Sequence, residues 1–283
     1  MKLTPFKDIV SKYKVVFFDA YGVLKNYKGI IPGIKETFEY LHQEEIDFYV
    51  LTNDSSRSPL ELAEVYNRAG IDEITEQKII SSGMLAREYL RYKVKKGLVA
   101  YLGTNAAAHY IETLGLEPVA VHDLDLDNSD QVQALLMLDD EGFDWVVDVN
   151  KSVNLLRRNN MPVIVANTDR AYPTSKTEIA VAIGSVANMI EKIVHKRFIR
   201  FGKPDTQMFS FAFDRIRKSR VLTKDDILMV GDTLETDIMG GNHFGIDTVL
   251  VLTGNTQAHM AEIEIESSGI IPDFICKSAT FLD

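Results

Sequence analysis

Four segments of this chain end an apolar run on groups that can handle charge. Val15-Val16-Phe17-Phe18 stops at Asp19, with Tyr21 and Gly22 behind it, and Phe48-Tyr49-Val50-Leu51 stops at Thr52 and Asn53. Arg197–Phe201 leads into Gly202-Lys203-Pro204, and Ile227-Leu228-Met229-Val230-Gly231 stops at Asp232, with Asp237 five positions on. Taken singly, each has a plain structural explanation: strand-ending turns at Asp19 and at Thr52-Asn53-Asp54-Ser55, a solvated lysine before a proline, a helix N-cap at Asp232. Taken together they suit phosphoryl transfer. Asp19 can attack phosphorus and split hydrolysis into two easier steps through an aspartyl-phosphate. Asp19 and Asp232 are hard oxygen ligands for Mg²⁺, the carbonyl of Tyr21 offers a third, and Asp237 a hold on a metal-bound water. Lys203 supplies a fixed positive charge, and Thr52 and the amide of Asn53 supply neutral donors to phosphate oxygens. Catalysis would then come from positioning and electrostatics.

Such groups converge only if the elements beneath them share a direction. The strand at Val15–Phe18 reads as buried on both faces, as in the middle of a parallel sheet. After Pro32-Gly33, a helix with Ile34, Phe38 and Leu41 at helical spacing precedes the second strand. Ser58-Pro59-Leu60-Glu61 is a capping box with proline at the first helical position, opening a helix that stops near Gly70. Ile79-Ile80-Ser81 is a third strand. This alternation predicts an α/β fold, a Rossmann-like doubly wound parallel sheet whose strand ends share one rim.

From Gly83 the alternation continues with less chemistry: strands at Val99–Leu102, Ala134–Leu138 and Val163–Ala166, helices at Ala106–Leu114, Trp145–Arg158 and Gly184–Val194, and a solvated acidic loop at His122–Asp130. The expected organisation is a core of residues 1–82 and 198–283 with an inserted α/β cap at 83–197. Within the insert, Trp145 reads as a core anchor, and His109, His122 and His195 as ordinary scattered residues.

The chain has 283 residues with 31 Lys+Arg against 41 Asp+Glu, a formal net charge of −10. That balance argues against nucleic acid or an anionic membrane as the main partner. The single cysteine, Cys276, permits no internal disulfide and reads as a small buried hydrophobe in a reducing compartment. With no signal-peptide core and no spanning apolar run, a cytoplasmic protein is expected.

Asp19-Ala20-Tyr21-Gly22-Val23-Leu24, Leu51-Thr52-Asn53, Gly202-Lys203-Pro204-Asp205 and Gly231-Asp232-Thr233-Leu234-Glu235-Thr236-Asp237 resemble the motifs of the haloacid dehalogenase superfamily. Only 33 positions separate Asp19 from Thr52, too few for an early cap, so the insert after Ser82 resembles the cap of class IIA phosphatases. Asn167-Thr168-Asp169-Arg170-Ala171-Tyr172-Pro173 is similar to the Asn-Pro-Asp-Arg-x-Tyr-Pro signature of that class. The resemblance implies Mg²⁺-dependent hydrolysis of a small phosphorylated metabolite such as a sugar phosphate, with Asn167 and Asp169 on the substrate side, and a homodimer formed through the cap.

One departure stands out. Where the family's phosphatases carry a second Asp as general acid and base, this chain has Tyr21. A phenol with a reference pKa of ~10 can donate a proton but is a poor base near neutral pH, and losing a general acid–base costs on the order of 10²–10⁴ in rate. Asp54 stands where Asn is usual, either as a substitute proton carrier or as a turn residue. Two other readings follow from Tyr21: a catalytically retired phospho-ligand-binding protein, and a 2-haloacid dehalogenase, which shares Asp-x-Tyr-Gly but needs no metal and carries its cap between the first two motifs.

Overall fold

The computed structural model describes residues 2–218 and 220–281. Positions 1, 219, 282 and 283 of the expected core lie outside the described residues. In chain order come β1 (Val15–Phe18), a small ribbon of β2 (Lys25–Asn26) and β3 (Gly29–Ile30), β4 (Asp47–Thr52) and β5 (Ile79–Ser81). Next are β6 (Leu98–Leu102), β7 (Glu117–Ala120), β8 (Val132–Met137) and β9 (Val163–Val165), a second ribbon of β10 (Ala171–Pro173) and β11 (Ile179–Val181), and β12 (Ile199–Arg200). The chain then adds β13 (Ile227–Gly231), β14 (Asp247–Val251) and β15 (Phe274–Cys276).

Two parallel sheets carry the molecule. The first has six strands in the order β15-β14-β13-β1-β4-β5. Every residue of β1 and β13 is buried, which is why these strands are written in unbroken apolar runs. One face packs Val16, Phe18, Val50 and Val230 against Ile34, Phe38, Leu41 and Tyr66, contributed by the helices Ile34–Gln43 and Pro59–Asn67. The predicted capping box is present, with Ser58 and Glu61 satisfying each other's backbone N–H groups. The other face packs Val15, Phe17, Leu51 and Met229 against Leu85, Leu90, Met208 and Phe209.

The second sheet runs β12-β9-β8-β6-β7, also parallel. The apolar cluster on the second face of the first sheet continues into it through Val99, Tyr101, Leu136 and Ile164, so the two sheets share packed side chains. Its far face is closed by the helices Val147–Arg158 and Ile183–Val194.

Several local expectations change. The strand expected to resume the core at residue 198 joins the insert's sheet instead: Ile199 and Arg200 pair with Ile164 and Val165. By its hydrogen bonding the insert therefore extends to Arg200; a strand of two residues carries too little pattern for its sheet to be read from the sequence. Strand β7 and the β10–β11 ribbon lack a periodic signature and were not anticipated. The acidic stretch is partly wound into 3₁₀ turns, burying Val121, Leu124 and Ser129. The helix expected from Trp145 starts at Val147, and Trp145 is 44% exposed rather than an anchor. No helix among the described residues is long and apolar enough to cross a membrane.

Candidate active site

Strand order fixes where the chemistry collects. Successive connections leave β1 toward β4 and β5 on one side, and β13, β14 and β15 lie on the other, so the crevice at the strand ends opens beside β1 and β13. Asp19 follows β1 and Asp232 follows β13, and the backbone N–H of Asp19 donates to the carbonyl of Val230 at 2.9 Å. A single-turn π-helix, Leu234–Ile238, turns Asp237 back beneath them. Its Oδ2 accepts from the backbone N–H of Asp232 at 3.2 Å and of Thr233 at 3.1 Å. One oxygen from each of Asp19, Asp232 and Asp237 lies within 4.8 Å of the others.

Lys203 is driven into this cluster from the other module's junction. Its side chain is 2% exposed, and its Nζ donates to Asp19 Oδ1 and sits 2.7 Å from Asp237 Oδ1. Burial works against the ammonium, but Asp19 and Asp237 prevail and hold its pKa above the ordinary lysine value. The carboxylates pay in the opposite direction. Burial, against the opposing pull of Lys203 and with the repulsion of Asp237, pushes Asp19 up to about 7. Burial followed by repulsion from Asp19 and Asp237 pushes Asp232 well above the carboxylate range.

Three buried carboxylates against one ammonium leave the site short of positive charge. Asp237 Oδ1 has no well-aligned hydrogen bond despite its nearness to Lys203. Converging hard oxygens, excess negative charge and one under-satisfied acceptor are the conditions a Mg²⁺-like cation meets. The residues present fit such an ion.

Two glycines let the backbone close on Asp232. A Cβ on Gly22 would fall 2.2 Å from Asp232 Oδ2, and one on Gly254 1.9 Å from the same oxygen. Gly22 also holds φ at +89°, a left-handed value. Asp232 is further fixed by Thr233 Oγ1 at 3.1 Å and the backbone N–H of Asn255 at 2.6 Å. Gly254 and Asn255 were not anticipated as site residues. Their signal, Thr-Gly-Asn one residue beyond the end of β14, is close to the strand-end pattern that marked Asp19.

Opposite this cluster lie residues of the insert, and between them is a cavity of about 670 Å³. Asp19, Tyr21, Thr52, Asn53, Asn167, Asp169, Lys203 and Asp232 all line it. Their side chains are less free than the sequence suggests. Thr52 Oγ1 accepts from the backbone N–H of Asp54 at 3.1 Å. Asn53 spans the modules: Nδ2 donates to Thr168 Oγ1 at 3.1 Å, to Asp169 Oδ1 at 2.9 Å and to the Lys203 carbonyl at 3.1 Å, while Oδ1 accepts from the Lys203 N–H at 2.7 Å. Asn167 Oδ1 accepts from the N–H of Asp169 at 2.9 Å, ordering its own loop. Asp54 accepts from Ser56 N–H and Oγ, the geometry of a turn residue. Tyr21 lies half-buried with its hydroxyl donating to the carbonyl of Pro173.

The far end of the cavity holds Asp139, Asp140 and Glu141, which follow β8 as Asp19 follows β1. Burial and then the neighbouring Asp140 push Asp139 up to about 7. Arg57, Arg170 and Tyr172 complete that end, with Tyr172 donating to Asp140 Oδ2 at 2.9 Å. Of these, Asp139, Asp140, Glu141 and Arg57 were passed over, although the first two carry the strand-end signal.

The buried Asp–Lys pair and its acidic cluster stand on a doubly wound sheet facing an inserted α/β module. A model described as haloacid dehalogenase-like hydrolase matches residues 16–117, and a second, HAD-hydrolase-like, matches residues 200–279. The chain superposes with a TM-score of 0.94 on a structure from Cytophaga hutchinsonii described as a possible sugar phosphatase of that superfamily, at 55% identity over 99% of both chains. Bos taurus chronophin is 28% identical over 96% of this chain and 93% of its own, and a Staphylococcus epidermidis acid sugar phosphatase 27% over 95% and 96%. The chain belongs to the haloacid dehalogenase superfamily, in its class IIA phosphatase group.

Proposed function

We propose that the protein hydrolyses a small phosphomonoester, such as a sugar phosphate, through an aspartyl-phosphate on Asp19, with Mg²⁺ bound by Asp19, Asp232, Asp237 and the carbonyl of Tyr21. The observation that carries the reading is the Lys203 ammonium buried between Asp19 and Asp237 at the floor of the cavity. A cation there supplies charge neutralisation for an anionic nucleophile approaching an anionic phosphate.

The chain's own residues do the rest. Lys203 keeps Asp19 oriented through the Nζ–Oδ1 bond and offers the same positive charge to the phosphate oxygens. Thr52 and the Asn53 main chain border the phosphate end of the cavity, and Asn167 and Asp169 close it from the insert. Asp169, whose pKa is raised by burial against the opposing bond from Asn53, contributes a carboxyl to the same wall. Asp54 holds its own turn through Oδ1; with Tyr21 in place of a carboxyl beside the nucleophile, proton transfer at the leaving group rests on the leaving group's own acidity, and the enzyme favours esters of acidic alcohols and phenols.

The test is hydrolysis of p-nitrophenyl phosphate with and without Mg²⁺. Turnover that needs the metal and that Asp19→Asn abolishes supports the proposal. No turnover on this or on a panel of alkyl phosphomonoesters refutes it in favour of a ligand-binding protein. The dehalogenase reading fails on position and charge: the insert follows β5, and the second aspartate pair adjoins the nucleophile.

A further inference from the structure

The ribbon β10–β11 pairs only with itself among the described residues, yet its first strand and the residue before it, Arg170–Tyr172, form part of the cavity wall. An isolated two-stranded ribbon is marginal in water and takes its position from what it is tied to. Its base is held by the Arg170 carbonyl, which accepts from Ala182 N–H at 3.0 Å and Ser185 Oγ at 2.8 Å. The insert ties it once more, through Tyr172 and Asp140. On the side of the six-stranded sheet it meets Tyr21, whose hydroxyl donates to the Pro173 carbonyl and whose ring meets that of Tyr172 edge-on, 6.3 Å between centroids.

We infer that Tyr21 is a positioning residue that latches the β10–β11 ribbon against the leaving-group end of the cavity, so that the cap's wall of the cavity is set from the core. The chemistry of the side chain supports this assignment. A carbonyl needs a donor; a phenol provides one at the end of a long rigid arm. An ionised aspartate at position 21 would be shorter and acceptor-only, and would repel the Pro173 oxygen. The phenol therefore makes a bond that a carboxylate in this place cannot. The main-chain carbonyl of residue 21 stays available whatever side chain is attached. Because Arg170 and Tyr172 ride on or beside this ribbon, releasing it changes the shape of the leaving-group end while leaving Asp19 and Lys203 in place.

The inference deepens the phosphatase reading in its kinetic consequences but is testable apart from it. Backbone hydrogen–deuterium exchange across residues 170–182 is measured for the wild type, Tyr21→Phe and Tyr21→Asp. Loss of one neutral hydrogen bond should speed exchange there about fivefold in Tyr21→Phe, and at least as much in Tyr21→Asp, with exchange in β1 and β13 unchanged. With p-nitrophenyl phosphate and glycerol phosphate as substrates, Tyr21→Phe should raise KM severalfold for both and keep the ratio of their kcat values within about twofold. Unchanged exchange at 170–182 in both variants overturns the latch. So does a kcat for glycerol phosphate that falls tenfold or more relative to the aryl ester in Tyr21→Phe, since that marks the phenol as proton donor. If the wild type turns over neither ester, the phosphatase reading fails and the exchange result alone decides the latch.

Discussion

Replacing Lys203 with methionine keeps most of the unbranched arm, one atom shorter, and removes its charge. The ammonium is 2% exposed, and the carboxylates it faces are 13% exposed for Asp19 and 1% for Asp237. Breaking a buried pair by deleting one partner typically costs 3–5 kcal/mol, because the other charge stays buried without compensation. Against a typical total of 5–15 kcal/mol, that is a large fraction of the stability. The loss should depend on pH. Asp19 is already raised to about 7 because burial outweighs Lys203, and removing Lys203 takes away the main influence holding it down. A carboxyl with a raised folded pKa binds protons more readily folded than unfolded, so its contribution to stability falls as pH rises from about 4 through its folded value. Lys203→Met should therefore lose about 3–5 kcal/mol at pH 8 and clearly less at pH 5.5. Urea denaturation of both proteins with a chelator present reads the difference. A loss below about 1 kcal/mol at pH 8, or an equal loss at both pH values, refutes the description of the cluster as short of positive charge.

Gly22→Ala forces a Cβ to within 2.2 Å of Asp232 Oδ2 at a left-handed φ of +89°, and it should abolish metal-dependent turnover and lower the melting temperature by several degrees. Asn53→Ala deletes the side chain that bridges to Thr168, Asp169 and Lys203; we expect a stability loss of about 2–3 kcal/mol in urea unfolding and a raised KM. Asp139 is raised to about 7 by burial, so it costs stability increasingly as pH rises from about 4 to 7. Asp139→Asn should gain about 1–3 kcal/mol over the wild type at pH 8 and nothing at pH 4, as followed by thermal unfolding across that range.

Much of the core was legible because buried parallel strands must be apolar on both faces. The runs at Val15–Phe18 and Ile227–Gly231 therefore announced themselves, and polar residues at their ends had to share a rim. The capping box at Ser58 was equally plain, since its two side chains report on backbone groups a few residues away. What pattern could not supply was long-range commitment. Nothing local says that Ile199 pairs with Ile164, or that Trp145 spends its indole N–H on the Asp140 carbonyl at the cavity rim. The same holds at the site. Asn53 reads as a phosphate donor until its side chain is seen joined to Asp169, and Tyr21 as a weakened acid until its hydroxyl is seen on Pro173. Asp139 and Asp140 were available to the strand-end argument, but the insert's motif drew attention to Asn167 and Asp169 instead.

The most direct test of the account is to quench the enzyme during turnover of p-nitrophenyl phosphate in Mg²⁺, reduce it with borohydride and map the peptides by mass spectrometry. An aspartyl-phosphate at position 19 would be reduced to homoserine there, and the account predicts that change at Asp19, dependent on both substrate and metal. Turnover without any such modification at Asp19, or with the modification at another carboxylate, would contradict it.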